Sequence, residues 1–388
     1  MKNLTVRYAA TQFTHWASIS GATAFATAYF LEKGVSAGMI GLLLALAGLC
    51  SCLTQPLLAA GIDRAEPSLL RKALCLLSLI STGCLLLQLI PGMPLAAAAA
   101  AYTAGIWSSD AMAPLLNALS VACNAGGYPI NYGAGRATGS ISTALSNLVI
   151  GYILARLGSA WMIVFLLLTR IGCLICLAGY PNLSAPLPQG EKKPEGCSVF
   201  AFFGRYPIYC LSLLGIGLLG MYHAMTENYM IAIVGALGGD SSHVGTALFI
   251  SAMSSVPVIF FFSRIRPHFR DATLLKIAAA SFLIKAVCFY FAGSVSAIYC
   301  FQLLQITSWA VLAPTEVYYA SARVDSADMV KGQAFITAAY ALGCSAGNFT
   351  GGQLLPWGAK AILLAGIAIA LAGALVIFAT VDRKEAAS

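Results

Sequence analysis

Several side chains capable of chemistry stand inside or beside long apolar runs of this 388-residue chain: Asp110, Arg136, His223, Glu227 and Glu316. Placing Arg or Asp in hydrocarbon costs about 2.5–3.5 kcal/mol on insertion scales, so such groups face a bundle interior or a water-filled cavity. There they can hold a polar solute or carry a proton. The stretch Ser109 to Gly151 concentrates the signal. Asp110 lies in an apolar run, a Pro- and Gly-rich hairpin follows, and Arg136 opens the next run. Asp110 and Asn117 are seven apart and share a helical face. Asp110 reads either as a counter-ion for Arg136 or as a carboxylate solvated at a helix end. Arg136 itself also fits a basic anchor at a membrane surface.

The second half of the chain carries its own set. His223 and Glu227 in GMYHAMTENYM are spaced i, i+4, so they can hydrogen-bond on one face, with Asn228 beside them. A carboxylate next to an imidazole in a low-dielectric setting suits proton transfer; a polar lock between helices is the alternative. Two such ligands without a third do not make a metal site. Gln302, Trp309 and Glu316 follow at heptad spacing with Gln305 adjacent, which puts amides, an indole and a carboxylate on one stripe. An aromatic flanked by amides fits a sugar-like or heteroaromatic solute, or ordinary helix packing with Gln as interhelical glue. Glu316 can alternatively pair with Arg323 at a helix end. His15 sits on a face with Tyr8, Gln12 and Ile19, open to a cavity or to packing. Asn348 lies in the Gly343, Gly347, Gly351 series, a close-packing seam first and a binding element second. Lys285 reads as a snorkelling or paired residue of an outer helix.

What must position these residues is a membrane. The chain is 59% hydrophobic and 9% charged, with mean hydropathy +0.83, against about 25% charged for a soluble domain. Period-2 alternation is absent, so the expected fold is all-α and polytopic rather than a barrel. Spans of about 20 apolar residues fall at 6–31, 38–62, 71–91, 94–120, 135–157, 160–181, 206–234, 243–263, 273–293, 296–321, 333–355 and 359–380. That is about twelve helices. Most of the 22 Lys and Arg gather on one side, while Lys33, Arg156 and Lys360 fall on the other and Arg136, Arg170 and Lys285 lie within or at the edge of spans. This asymmetry places both termini in the cytoplasm and accounts for the net charge of +8 without a nucleic-acid partner. The 12 cysteines sit mostly in apolar runs, and even Cys173-x-x-Cys176 reads as small buried hydrophobes. The first apolar run has no cleavage site and reads as a spanning helix.

The chain also repeats itself. Ala113-Pro114 answers Ala313-Pro314, Gly135-Arg136-Ala137 answers Gly332-Gln333-Ala334, Leu69-Leu70-Arg71-Lys72 answers Leu274-Leu275-Lys276, and Pro56 answers Pro257, at offsets of 197 to 205. The domains expected are therefore a six-helix half over 1–181, a cytoplasmic linker over 182–205, and a second six-helix half over 206–388, in parallel orientation. With Gln55-Pro56-Leu57-Leu58, Tyr132-Gly133-x-x-Arg136-x-x-Gly139 and Gln302-Leu-Leu-Gln305, the chain resembles the major facilitator superfamily. Its spacing is most similar to the lactose-permease-like branch of oligosaccharide, nucleoside and phenylpropionate:proton symporters. The resemblance implies substrate bound between the halves and contacted by Arg136. It departs from the galactoside pattern at Asn117, at Thr143, in Ile250 to Pro257, and near Gln305 and Ser308, where the branch carries its carboxylates, tryptophan and histidine.

No GxxxxGK[ST], HExxH, G-x-S-x-G or zinc-spaced Cys/His cluster occurs. The expected activity is secondary transport: proton-coupled uptake of a small polar solute, saccharide- or nucleoside-like, across a bacterial inner membrane by a monomer. Glu227, His223, Glu316 and Asp110 are the expected proton-coupling residues. Arg136, Asn117, Gln302, Gln305, Trp309, His15, Asn228 and Asn348 are the expected substrate contacts. No cofactor is expected beyond H⁺ as the coupling ion. A proton-driven exporter of amphipathic compounds is the rival reading, with a membrane enzyme or receptor behind it.

Overall fold

A computed structural model describes residues 4–63, 68–181 and 197–383, and no strand occurs among them. The chain divides into two compact units, Met1–Gln189 with Gly239–Phe249, and Gly190–Gly238 with Ile250–Ser388. Of the expected linker, residues 182–196 lie outside the described residues, as do Lys2, Arg64 and Lys384 of the charge pattern. The end of that linker forms a short helix.

The first unit runs α1 (Leu4–Ala24), α2 (Ala26–Glu32), α3 (Ala37–Asp63), α4 (Ser68–Leu87), α5 (Leu95–Ala125), α6 (Tyr132–Leu157) and α7 (Ser159–Ala178). α1 packs on α6 and α7, and α4 on α5 and α7. The α5–α6 hairpin is tied by polar side chains. Asn124 accepts from the Ile130 N–H at 2.7 Å, Gly127 takes φ +80°, and Asn131 caps α6 by accepting from the Ala134 N–H at 3.0 Å. This fixes where α6 begins, and so where Arg136 stands.

The second unit runs α8 (Val199–Arg205), α9 (Pro207–Glu227), α10 (Met230–Gly235), the part of α11 (Ser241–Ile265) from Ile250 on, whose earlier residues belong to the first unit, α12 (Asp271–Tyr290), α13 (Val295–Gln302), α14 (Trp309–Arg323), α15 (Met329–Leu354) and α16 (Ala359–Thr380). Its strongest packing is of α9 against α15 and α16. A Cβ on Gly343 would overlap the Gly217 carbonyl, and one on Gly347 the Met221 carbonyl, so the glycine series is a packing seam as its spacing predicts.

Nine described helical segments are long and apolar enough to cross a membrane, and each leaves nearly half or more of its apolar window facing outward. Exposed Leu53, Leu57, Leu168 and Phe260 belong to that lipid-facing surface. α1, α5 and α15, at the remaining three of the twelve expected spans, are comparably long but less apolar. The repeat is visible in the elements. Pro56 and Pro257 lie inside α3 and α11, and Pro114 and Pro314 inside α5 and α14. Gly158 before α7 (φ +87°) is answered by Gly358 before α16 (φ +89°), a further match at offset 200.

Candidate functional site

In the first unit the site grows from one face of α1. Tyr8, Gln12 and Trp16 are spaced i, i+4, and they hydrogen-bond in series. The Gln12 amide donates to Tyr8 Oη at 2.7 Å, and the Trp16 indole N–H donates to Gln12 Oε1 at 2.9 Å. The rings lie against α6 because Gly135 and Gly139 leave room. A Cβ at either position would run into Tyr8 or Trp16. Between those glycines stands Arg136, its guanidinium 4.8 Å from the centroid of the Trp16 ring. This is a cation–π contact between two half-buried side chains. The expected pairing of Arg136 with Asp110 is not made: no ion pair joins them among the described residues. Asp110 is half-buried, and Gln55 donates to its backbone carbonyl at 3.2 Å. Asn117 is exposed and accepts from Tyr132 Oη at 3.5 Å, next to the Tyr8 ring.

His15, on the same side of α1, reaches toward α7. It is fully buried, edge-on to Trp16, with Arg170 Nη1 of α7 at 3.4 Å from Nδ1. Arg170 is itself fully buried and donates to Ser109 Oγ at 2.8 Å, and Met112 Sδ lies at 3.6 Å. Of the two readings open for His15, the structure favours packing, with a cation as its companion. Arg170 was not expected in the site. Its signal was an uncompensated charge in an apolar run, the same signal that singled out Asp110.

In the second unit the centre is Lys285 of α12, 1% exposed. Its ammonium donates to Glu227 Oε1 of α9 at 3.3 Å and to Gln305 Oε1 at 2.7 Å. Glu227 therefore pairs with Lys285, not with His223 as its i, i+4 spacing suggests. Tertiary approach of α12 supplies a stronger partner than the helix's own next turn. Nor is Lys285 a snorkelling residue, since its head is buried. His223 instead lies among rings: Trp309 nearly parallel at 6.4 Å, Phe282 edge-on at 5.9 Å, Tyr340 at 6.5 Å. Among the described residues its Nδ1 meets no hydrogen-bond partner, and neither does Glu316 Oε1 or either amide atom of Gln302. The alternative partner for Glu316 is also corrected, because Arg323 donates to the Val381 and Arg383 carbonyls.

The expected continuous stripe Gln302–Trp309–Glu316 is broken. α13 ends at Gln302, residues Leu303–Ile306 form a 3₁₀ turn, and α14 begins at Trp309. Thr307 and Ser308 hydroxyls bond back to the Leu304 carbonyl, competing with the helix ladder. Asn228 and Asn348 do meet: Asn228 Nδ2 donates to Asn348 Oδ1 at 2.7 Å, tying α9 to α15. Among the described residues, no three His, Cys, Asp or Glu gather as a metal site would require.

Away from the spans, Asp328 holds the start of the second unit together. It accepts from the Cys197 N–H at 2.8 Å and from Lys331 at 3.1 Å, with Tyr206 Oη at 3.3 Å and Arg205 at 3.7 Å. Burial pushes its carboxyl up, but the hydrogen bonds from Cys197 and Lys331 outweigh that and hold it below the usual carboxylate range.

Two repeats of membrane-length helices, each burying polar clusters between its own helices, are the build of a membrane carrier. The chain belongs to the MFS_1 like family, whose model matches residues 5–364. Family and fold make it a transporter rather than an enzyme. Among solved structures, a point mutant of the nucleoside transporter NupG is similar with a TM-score of 0.84 at 13% identity, covering 97% of this chain and 100% of that one. A point mutant of the peptide transporter POT, in complex with alafosfalin, matches with a TM-score of 0.74 at 10% identity, over 97% of this chain and 93% of that one. A bacterial homolog of the human lysosomal transporter Spinster follows with a TM-score of 0.67 at 14% identity, over 98% and 96%. Curated proteins yield no match.

Proposed function

We propose that the protein is a proton-coupled importer of a small polar solute, saccharide- or nucleoside-like, working by alternating access. It would act as a monomer in a bacterial inner membrane, with both termini in the cytoplasm. The observation that carries the reading is the buried Glu227–Lys285 pair. A carboxylate 3.3 Å from a fully buried ammonium is the kind of intramembrane pair from which proton relays are built. Substrate recognition falls to Arg136 with Trp16 and Asn117 in the first unit, and to Trp309, His223, Gln302, Gln305 and Asn348 in the second. Rings beside unsatisfied amide and imidazole atoms suit a flat or saturated ring that bears hydroxyls. The likeness to a nucleoside transporter supports the nucleoside side of that class. Asp110 and Glu316 remain secondary candidates for the proton.

The test is external pH in lightly buffered vesicles that contain the purified protein, challenged with sugars, nucleosides and aromatic acids. The expected result is solute-dependent alkalinisation outside, lost in Glu227→Gln. Expulsion of hydrophobic cations by an imposed proton gradient, with no solute moving protons, overturns the uptake reading.

A further inference from the structure

One side chain connects the residue proposed to take the proton with the break in the helix that carries Trp309. Lys285 donates at once to Glu227 on α9 and to Gln305 in the 3₁₀ turn between α13 and α14. Within the turn the Thr307 and Ser308 hydroxyls both bond back to the Leu304 carbonyl, the Ser308 carbonyl accepts from the Leu312 N–H at 2.9 Å, and Ser308 takes φ −92°, ψ −97°, outside the helical and extended regions. Mid-helix 3₁₀ stretches of this kind often mark hinges. Trp309 is the first residue of α14, directly after the break, and its indole lies parallel to His223. A change of geometry at 303–308 therefore turns that ring.

We infer that Lys285 is a positioning residue that ties the charge of Glu227 to the geometry of the break at 303–308, and so to the placement of Trp309. The inference rests on the proposed role of Glu227. When Glu227 takes a proton from water, Lys285 loses its counter-ion, and a fully buried ammonium left with an amide acceptor and the Phe289 ring at 5.4 Å is disfavoured. It must move or shed its own proton, and either event alters its bond to Gln305. The other groups facing Glu227 are His223 and Tyr222 from α9 and Tyr340 from α15, with Glu316 of α14 beyond Tyr340. None of these is a second cation at hydrogen-bond distance, so Lys285 alone answers the change.

Hydrogen exchange of the full chain in phosphatidylethanolamine–phosphatidylglycerol vesicles tests this without a substrate. Glu227→Gln mimics the protonated carboxyl, and Gln305→Leu cuts only the other arm of the bridge. Each is expected to speed exchange of amides 303–310 about tenfold, and the double variant no further than either alone. Peptides of α16 serve as the control for global unfolding. Because Lys285→Met alone leaves Glu227 unpaired, it is run with Glu227→Gln, which removes both charges; this pair is expected to match Glu227→Gln. Unchanged exchange at 303–310 in Glu227→Gln, or additive effects in the double variant, overturns the inference. The vesicle pH assay reports separately on Glu227: a wild type that moves protons only with solute, yet shows no exchange response, sinks the link and leaves the carrier role standing.

Discussion

At the scale of single residues, the chemistry depends on which charge meets which partner. Arg170 is the most demanding case, a fully buried guanidinium whose forked donors reach Ser109 and His15 at once. Lysine offers a point donor and cannot span both. Arg170→Lys is expected to lose about 1–2 kcal/mol of stability, read as a lower thermal midpoint in detergent, with the chain still folded. Asp328 supplies the pH-dependent counterpart. Its carboxyl is lowered in the folded state, so it stabilises at neutral pH, and that contribution is lost as pH falls from about 4 through its lowered value. Asp328→Asn should therefore destabilise at pH 7, and the gap to the wild type should close below that window, as pH-resolved thermal unfolding would show. An undiminished gap at pH 2–3 would mean that packing, not charge, holds this corner. Most such partnerships could not be read from the chain alone. The sequence marks Glu227, Lys285 and Arg170 as costly charges, but their partners lie on other elements, 20 or more residues away. Local spacing pointed to His223 for Glu227 and to Asp110 for Arg136, and tertiary approach overrode both.

At the scale of elements, glycine decides how closely helices approach. The α9–α15 seam tolerates no Cβ at Gly347, where the obstruction is the Met221 backbone itself. Gly347→Ala is expected to cost about 1–3 kcal/mol. Gly83 in α4 meets nothing within 4 Å, so Gly83→Ala should stabilise by about 0.5–1 kcal/mol. Thermal unfolding of the two variants side by side gives opposite signs if packing rather than propensity controls the seam. Here the sequence was a good guide, because Gly343, Gly347 and Gly351 recur at helical spacing and small residues line interfaces in lipid. The break after Gln302 was hidden by the same logic. Heptad spacing through Trp309 and Glu316 fits an unbroken helix, and only the back-bonding of Thr307 and Ser308 and the grip of Lys285 on Gln305 reveal otherwise.

At the scale of the whole molecule, the twofold repetition was legible because proline, glycine and basic residues return at offsets near 200. The units have since diverged in charge. The first buries a cation, Arg170, with no carboxylate in ion-pair reach among the described residues, while the second buries the Lys285–Glu227 pair. Solute-coupled proton movement is therefore expected to vanish in Glu227→Gln but to survive in Arg170→Lys, with vesicle pH as the readout. Loss of coupling in both would place the proton path in the first unit as well.

The limited hydropathy of α1 bears on how the chain is made. α1 falls below the apolar threshold that nine other segments meet, and its polar face is covered by α6 and α7, which are synthesised more than a hundred residues later. A helix made that far ahead of the partners that cover it is thus among the least able to stay in lipid on its own. Its polar face must be shielded by insertion machinery or neighbouring protein until Gly135 and Gly139 arrive to receive it. Biogenesis of this carrier is then a matter of holding an early segment for a late partner, and substitutions that enlarge those two glycines would act first on assembly, before any solute is moved.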